Sequence, residues 1–355
     1  MCLMLLNEVG DMLVNVIGQS RAVTFLEGIL HSGRFPKAMV FFGPPGVGKG
    51  HAAKQFAFES CLTGDPTQDA QAKLLFDSGT HPELNFYRPE DCYSESELAK
   101  RKSLPTWKVG KIREFLEIVR EPVIHGARRT IVFEDFDRIP YGQAAIPDAF
   151  LKILEDGVDK TTVIFTTTSL DLMPLTLKAR MTALRFARLP IAQVKDLLAS
   201  HAADPHFDLS CRLGRGSVDD TLEFLKPSDE DSLEGHEIRK RAMTLLRLLH
   251  MSGSGKILLF LSTMSTDDLV KFVSVVKSLY ADLMLLESGI ATGLYHQDCV
   301  EDLIPIMEGF DGKLAQGLPA IKTLIERINR PGIRLDHQIK AAFVDLKIQT
   351  AVNPL

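Results

Sequence analysis

Cysteine is scarce and scattered: the five, at positions 2, 61, 92, 211 and 299, make no C-x-x-C pair and no close spacing. Neither a disulfide framework nor a zinc knuckle is encoded, and reduced thiols in a cytoplasmic protein are expected. Long apolar runs are missing as well. No stretch reaches the ~18 uninterrupted apolar residues of a membrane span. The apolar start Met1–Val16 is broken by Asn7, Glu8 and Asp11 and has no basic beginning, so neither a secretory leader nor a membrane anchor is expected. Positive charge is not in surplus: the formal net charge is −5. That excludes a uniformly basic nucleic-acid surface and leaves open a local patch, or DNA contact through a basic partner. The lone Trp107 and the loop residue His81, which precedes Pro82, read as structural. No Ser-His-Asp or Cys-His set and no metal-ligand cluster stands at suggestive spacing.

What is present begins with a glycine loop. Ala38–Phe42 is a short apolar run that feeds into Gly43-Pro44-Pro45-Gly46-Val47-Gly48-Lys49-Gly50, and His51–Leu62 has the apolar period of a helix. Strand, loop and helix are the context a phosphate-binding loop needs: its glycines turn backbone N–H groups toward a phosphate, and its lysine reaches the terminal phosphates. The last position departs from the pattern. A serine or threonine there would offer a hydroxyl to Mg²⁺, and Gly50 offers none. ATP or ADP is the expected ligand, with the metal in doubt. The competing reading is a relic loop that keeps its turn and holds no nucleotide.

Strands and helices alternate through the first ~185 residues, which implies a parallel sheet covered by helices. Leu84–Tyr87, Thr130–Phe133, Thr161–Thr168 and Ala183–Phe186 read as strands. Val109–Val119 and Pro147–Leu154 read as helices, the second closed by Gly157. Thr63–Asp69 is a polar stretch, and Glu90–Lys102, within an insertion spanning 88–107, is a solvated loop or helical segment with no assigned chemistry. Beyond Leu189 and Pro190 the texture becomes helical, in Ile191–Ser200, Val218–Leu225, Glu237–Met251, Thr266–Ser288 and Gly317–Ile328. Ser252–Gly255 breaks it, and the acidic, Ser-rich Pro227–Gly235 reads as a linker. The expected division is 1–189 as a nucleotide-binding α/β domain, 190–232 as a small helical domain and 233–355 as a larger helical one.

Three further groups stand where chemistry is possible. Glu134 and Asp135 end a strand, where one carboxylate could approach Mg²⁺ and the other polarise a water. The usual order is Asp for metal and Glu for water; here it is swapped, and a misplacement of about 1 Å can cost on the order of 10²-fold in rate. The bland reading is that they solvate the strand end. Thr166, Thr167, Thr168 and Ser169 close a buried strand and could reach a γ-phosphate, Thr168 foremost, or simply suit a strand. Arg180 follows a short helix: it either complements the helix dipole or reaches a neighbouring subunit's triphosphate, and spacing does not choose.

Taken in order, these residues resemble the clamp-loader branch of the AAA+ ATPases, most closely subunits of the delta prime type in bacterial DNA polymerase III. Ile17-Gly18-Gln19 precedes a helix. Gly33-Arg34 leads to the glycine loop, and His81-Pro82-Glu83-Leu84 is similar to the family's His-Pro-Asp-Leu element. Ile112-Arg113-Glu114 comes next, then Glu134-Asp135-Phe136-Asp137-Arg138 for its Glu-Asp-Ala-Asp-Arg, and Phe150-Leu151-Lys152-Ile153-Leu154-Glu155 for its Leu-Leu-Lys-Thr-Leu-Glu helix. The resemblance covers roughly residues 14–190. It implies an AAA+ α/β domain, a helical lid and a helical collar that joins subunits into a ring.

The resemblance also assigns roles. Ala179-Arg180-Met181 occupies the place of the family's Ser-Arg-Cys, whose arginine completes a neighbour's ATP site. Asp219, in Gly216-Ser217-Val218-Asp219, replaces an arginine that would sense the γ-phosphate. Of the four cysteines of the zinc module that many relatives carry, Cys61 alone lies in the corresponding region, so no zinc is implied. The implied partners are motor and delta-type clamp-loader subunits, the sliding clamp and, through the assembly, primed DNA. The expected activity is help in loading the clamp, with weak or no ATP hydrolysis by this chain; DNA polymerase activity would reside in the complex. The rivals are an AAA+ subunit that is itself the motor and a nucleotide-free scaffold.

Overall fold

The computed structural model describes residues 13, 16–100, 105–140, 145–156, 160–225, 235–251, 254–264, 266–328 and 335–350. Residues 1–12, 14 and 15 of the apolar start, the helix stop at Gly157, residues 101–104 of the insertion and 227–234 of the expected linker lie outside the described residues. The chain divides into two compact units, Met1–Gln193 and Val194–Leu355.

The first unit is built on five strands: β1 (Ala38–Phe42), β2 (Leu84–Tyr87), β3 (Arg129–Phe133), β4 (Thr161–Thr167) and β5 (Thr182–Arg185). They form one sheet in the order β2-β3-β4-β1-β5, and every pairing is parallel. Parallel neighbours need crossover helices, which cover both faces. These are α1 (Ser20–Ser32), α2 (Lys49–Cys61), α3 (Pro66–Asp77), α4 (Glu95–Lys100), α5 (Val109–Leu116), α6 (Ala145–Asp156) and α7 (Leu175–Lys178). The fold class is therefore α/β with a parallel sheet, followed by a helical C-terminal region.

Side chains alternate along each strand, so each strand supplies two cores. Met39, Phe41, Val132 and Ile164 pack with Leu26 of α1 and Ala52, Ala53 and Phe56 of α2. Val40, Ile131, Phe133, Val163 and Phe165 pack on the other face with Ile112 and Leu116 of α5 and Phe150 and Leu154 of α6. Phe133, Phe136, Phe150 and Phe165 meet edge to face or stacked beneath the acidic turn, with centroid distances of 4.6–6.5 Å. Fixing this cluster fixes where β3 ends.

Helix α8 (Ile191–Leu197) runs from the first unit into the second, which holds α9 (Phe207–Gly214), α10 (Val218–Leu225), α11 (Gly235–Met251), α12 (Ser254–Ser262), α13 (Thr266–Glu287), α14 (Val300–Glu308), α15 (Leu318–Ile328) and α16 (Leu335–Thr350). One apolar core runs through it, from Leu209 and Phe224 to Phe272, Tyr280, Phe310 and Phe343. Among the described residues, no helix is long and apolar enough to cross a membrane.

Local differences from the sequence reading have physical causes. The polar stretch at 63–69 opens α3: Asp65 accepts hydrogen bonds from the N–H groups of Thr67 and Gln68, and Pro66 takes the first turn, where its missing N–H costs nothing. Of the expected break at Ser252–Gly255, Ser254 and Gly255 belong to α12, and residues 252–253 lie outside the described residues. Helix α14 holds Pro305 in its interior, a residue that reads as a breaker from sequence.

Candidate nucleotide-binding site

The glycine loop joins β1 to α2 across residues 43–48. Gly43, Gly46 and Gly48 have φ of 150°, 66° and 88°, the region where a Cβ brings strain. Gly43 has a second constraint: a Cβ there would stand 2.2 Å from the carbonyl oxygen of Phe186. Its N–H donates to the Thr167 carbonyl at 3.2 Å, which ties the loop to β4. Val47 is buried in the core beside α2 and seats the loop. Lys49 is 7 % exposed. Its ammonium donates to the carbonyls of Gly43 and Pro44 at 2.8 and 2.7 Å, so it lies over the loop it belongs to.

The strand order sets what faces the loop. β4 lies between β1 and β3, and its threonines border both. Thr167 stands opposite Phe42 in register, so Thr168 falls beside the start of the loop. The Thr168 hydroxyl donates to Asp137 Oδ2 at 2.6 Å, and that of Thr166 accepts from the backbone N–H of Asp135 at 3.0 Å. The threonine cluster thus holds the acidic turn.

By the period of two, Glu134 follows Val132 onto the α2 face. It arrives against Gly50: a Cβ on residue 50 would meet Glu134 Oε1 at 3.2 Å. Glu134 Oε2 accepts from Arg88 Nε at 2.8 Å, and Oε1 lies 3.4 Å from Lys54 Nζ, one turn along α2 from Gly50. Glu134 holds the Arg88 guanidinium above its ordinary range by charge, against the opposing effect of burial. Asp135 turns away at φ 49°, its carboxylate 2.8 Å from Arg138 Nη2. Burial raises the pKa of Asp135, Asp137 and Glu134 add to the rise, and Arg138 and Lys49 oppose it. Beneath this turn Trp107, fully buried, donates its indole N–H to the Asp135 carbonyl at 3.2 Å.

The residues present do not fit a magnesium ion. Residue 50 has no oxygen to give, and the Glu134 carboxylate crowds the place of its side chain, 3.2 Å from where a Cβ would stand. That carboxylate already faces two cations, which repel a third. Sequence reading named Glu134 and Gly50 separately and missed Lys54 and Arg88. The i, i+4 spacing of Gly50 and Lys54 was visible; the approach of Arg88 depends on the sheet.

Arg180 lies after α7, away from the loop's own residues in chain and contacts. Its guanidinium donates to the Thr176 carbonyl at 2.8 Å and to Glu155 Oε1 of α6 at 2.7 Å, and its side chain is 38 % exposed. Asp219 is exposed in the first turn of α10, where a negative charge suits the helix dipole. The His81-Pro82-Glu83-Leu84 element has a structural task. His81 contacts Cys61 Sγ at 3.4 Å through Nε2, and Glu83 forms a buried ion pair with Arg129.

Residues 18–190 match the family model described as DNA polymerase III, delta subunit. A search of curated protein sequences finds no match. Among solved structures the chain is similar to a DNA polymerase III gamma subunit-related protein of Thermotoga maritima. There the identity is 12 % and the TM-score 0.40, over 92 % of this chain and 99 % of that one. It is similar to the Thermotoga maritima RuvB Holliday junction branch migration motor at 14 % identity and TM-score 0.42, over 82 % of this chain and 90 % of that one. For the Bacillus subtilis DNA clamp loader delta protein the values are 10 % and 0.34, over 91 % and 99 %. The glycine loop, the acidic turn and Arg180 all lie inside the segment that matches the family model.

Proposed function

We propose that the chain is a clamp-loader subunit of the delta prime type, which helps place the sliding clamp on primed DNA during replication. It acts in the cytoplasm as one member of a hetero-oligomeric ring with motor and delta-type subunits. Residues 190–232 serve as its lid and 233–355 as its collar. It binds ATP or ADP at Gly43, Gly46, Val47, Gly48, Lys49, Gly50 and Thr168, and hydrolyses it weakly or not at all. Arg180 completes the ATP site of a neighbour.

The observation that carries this reading is the state of Glu134. A carboxylate engaged by Arg88 and Lys54 beside a residue without a hydroxyl is a poor metal ligand, whereas Arg180 is exposed at the protein surface. The chemistry is thus weak in cis while a cation remains presentable in trans. An arginine offered to a neighbour's triphosphate is worth about 10³–10⁵ in rate.

The test assembles this chain with its motor and delta-type partners and measures clamp- and DNA-stimulated ATP hydrolysis. Arg180→Ala is expected to lower turnover with assembly intact. Unchanged turnover removes Arg180 from the mechanism. Rapid hydrolysis by the isolated chain, abolished by Lys49→Ala, would instead make this subunit the motor. A scaffold without nucleotide is favoured by one contact set, the Lys49 ammonium on its own loop's carbonyls. That reading predicts no rise in thermal midpoint with millimolar ATP, since a ligand of the native state must stabilise it.

A further inference from the structure

The misfit of magnesium has a positive side. Residue 50 lies in the first turn of α2, the helix at whose N-terminus a phosphate would sit. The glycine leaves room there for Glu134, whose Oε1 is within 3.2 Å of the missing Cβ position. That carboxylate brings Lys54 to 3.4 Å and Arg88 to 2.8 Å of its own oxygens. Two positive charges therefore flank the carboxylate that lies against residue 50.

Their supports come from separate elements, which makes the arrangement a built one. Lys54 projects from α2 and also lies 5.6 Å from the ring centroid of Phe86 on β2. Arg88 follows β2 directly, and its N–H donates to Asp91 Oδ2 at 2.7 Å. Glu134 is placed by the end of β3, whose partner register to β2 sets Phe133 opposite Tyr87. In the same register Glu134 comes level with Arg88, and the Glu134 N–H donates to the Tyr87 carbonyl at 2.9 Å.

A polyphosphate entering the loop carries several negative charges that a divalent ion ordinarily neutralises. Here Lys49, Lys54 and Arg88 supply positive charge from the protein; Glu134 holds two of them, Glu90 and Asp91 also act on Arg88, and Asp135 acts on Lys49. We infer that this site takes a nucleoside polyphosphate in its metal-free form, with Lys54 and Arg88 standing in for the charge of the magnesium ion. The inference rests on the reading of the loop as a nucleotide site. It adds how the ligand's charge is met.

Titration of the full chain with ATP and with ADP by calorimetry, in EDTA and in excess magnesium, tests it. The dissociation constants are expected to agree within about threefold between the two conditions. Tightening of about tenfold or more by magnesium overturns the inference and leaves the nucleotide site standing. Glu134→Gln removes the anion that competes for the two cations, so metal-free binding is expected to tighten; a loss confined to the magnesium arm would make Glu134 a metal ligand and overturn it. Arg88→Gln is expected to weaken binding in both conditions alike, and an unchanged affinity excludes Arg88 from the role. Absence of binding by folded wild-type chain in either condition overturns both the inference and the nucleotide reading. Circular dichroism melts confirm that each variant is folded.

Discussion

Glu83 and Arg129 form an ion pair at 2.7 Å, with side chains 2 % and 3 % exposed, at the point where β2 and β3 begin to pair. Leu84 stands opposite Thr130 in register, so the two charged residues are brought level by the first step of the sheet. Glu83 Oε1 also accepts the N–H groups of Ile124 and His125, and the guanidinium donates to the carbonyls of Glu121 and Pro122. The pair closes the loop before β3 onto the edge of the sheet. Removing one member strands a buried charge, which costs about 3–5 kcal/mol. Glu83→Gln and Arg129→Met are each expected to lower the unfolding free energy by that order in urea titration. The double variant should cost less than the sum; strict additivity would show that the two residues act independently.

Two glycines of the phosphate loop should respond differently to alanine. At Gly43 a Cβ would lie 2.2 Å from a backbone carbonyl and φ is 150°, so Gly43→Ala must move the end of β5 as well as the loop. A loss of about 2–3 kcal/mol is expected. At Gly50 the nearest atoms belong to the Glu134 side chain at 3.2 Å, which can shift, and alanine gains about 1 kcal/mol of helix propensity. Gly50→Ala should therefore be close to neutral in thermal unfolding. Equal losses for both would show that Glu134 is as immovable as backbone.

Arg180 and Glu155 lie on the surface, with side chains 38 % and 51 % exposed, and solvent screens such a pair to about 0–1 kcal/mol. Arg180→Ala and Glu155→Ala are each expected to leave the melting temperature of the isolated chain within a few degrees of wild type, since 1 kcal/mol moves a large domain by roughly 2–4 °C. Differential scanning calorimetry checks this. A large drop would mean that lost turnover in an assembled Arg180 variant reports instability.

The sheet was legible because its strands are short, β-branched or aromatic, and bounded by glycine or charge; Leu84–Tyr87 is found where the pattern puts it. The order of the strands was not, since a run such as Thr161–Thr167 carries no mark of which neighbours it will pair. That gap hid the site. Glu134, Gly50 and Lys49 were readable as motif residues, but Arg88 lies 46 positions from Glu134 and meets it because β2 and β3 are adjacent. The polar start of α3 was misread for a different reason. Asp65, Pro66 and Thr67 are turn formers as much as a helix start, and α3 buries Ala72 and little else, so its apolar period is faint.

The helical unit carries a titration that should be measurable. His296 is fully buried; its Nε2 is 2.9 Å from Ser278 Oγ, and its backbone N–H donates to Asp282 Oδ2 at 2.8 Å. Burial pushes its pKa down to about 3, and Arg239, Arg212 and Arg215 push the same way against Asp298. The folded protein therefore keeps this ring neutral while the unfolded chain protonates it near pH 6.5. Stability must fall as pH drops below 6.5, and the loss ends once pH passes about 3. Between pH 7 and pH 5 this one group accounts for about 2 kcal/mol. Asp282, raised by burial, binds its proton more readily in the folded state and opposes the trend, so wild type alone does not isolate the histidine. His296→Asn removes the titration and keeps a polar side chain near Ser278. Urea unfolding at the two pH values is expected to show a smaller loss for the variant by about 2 kcal/mol. Equal losses would mean that His296 is protonated in the folded unit and that the ring is reached by solvent.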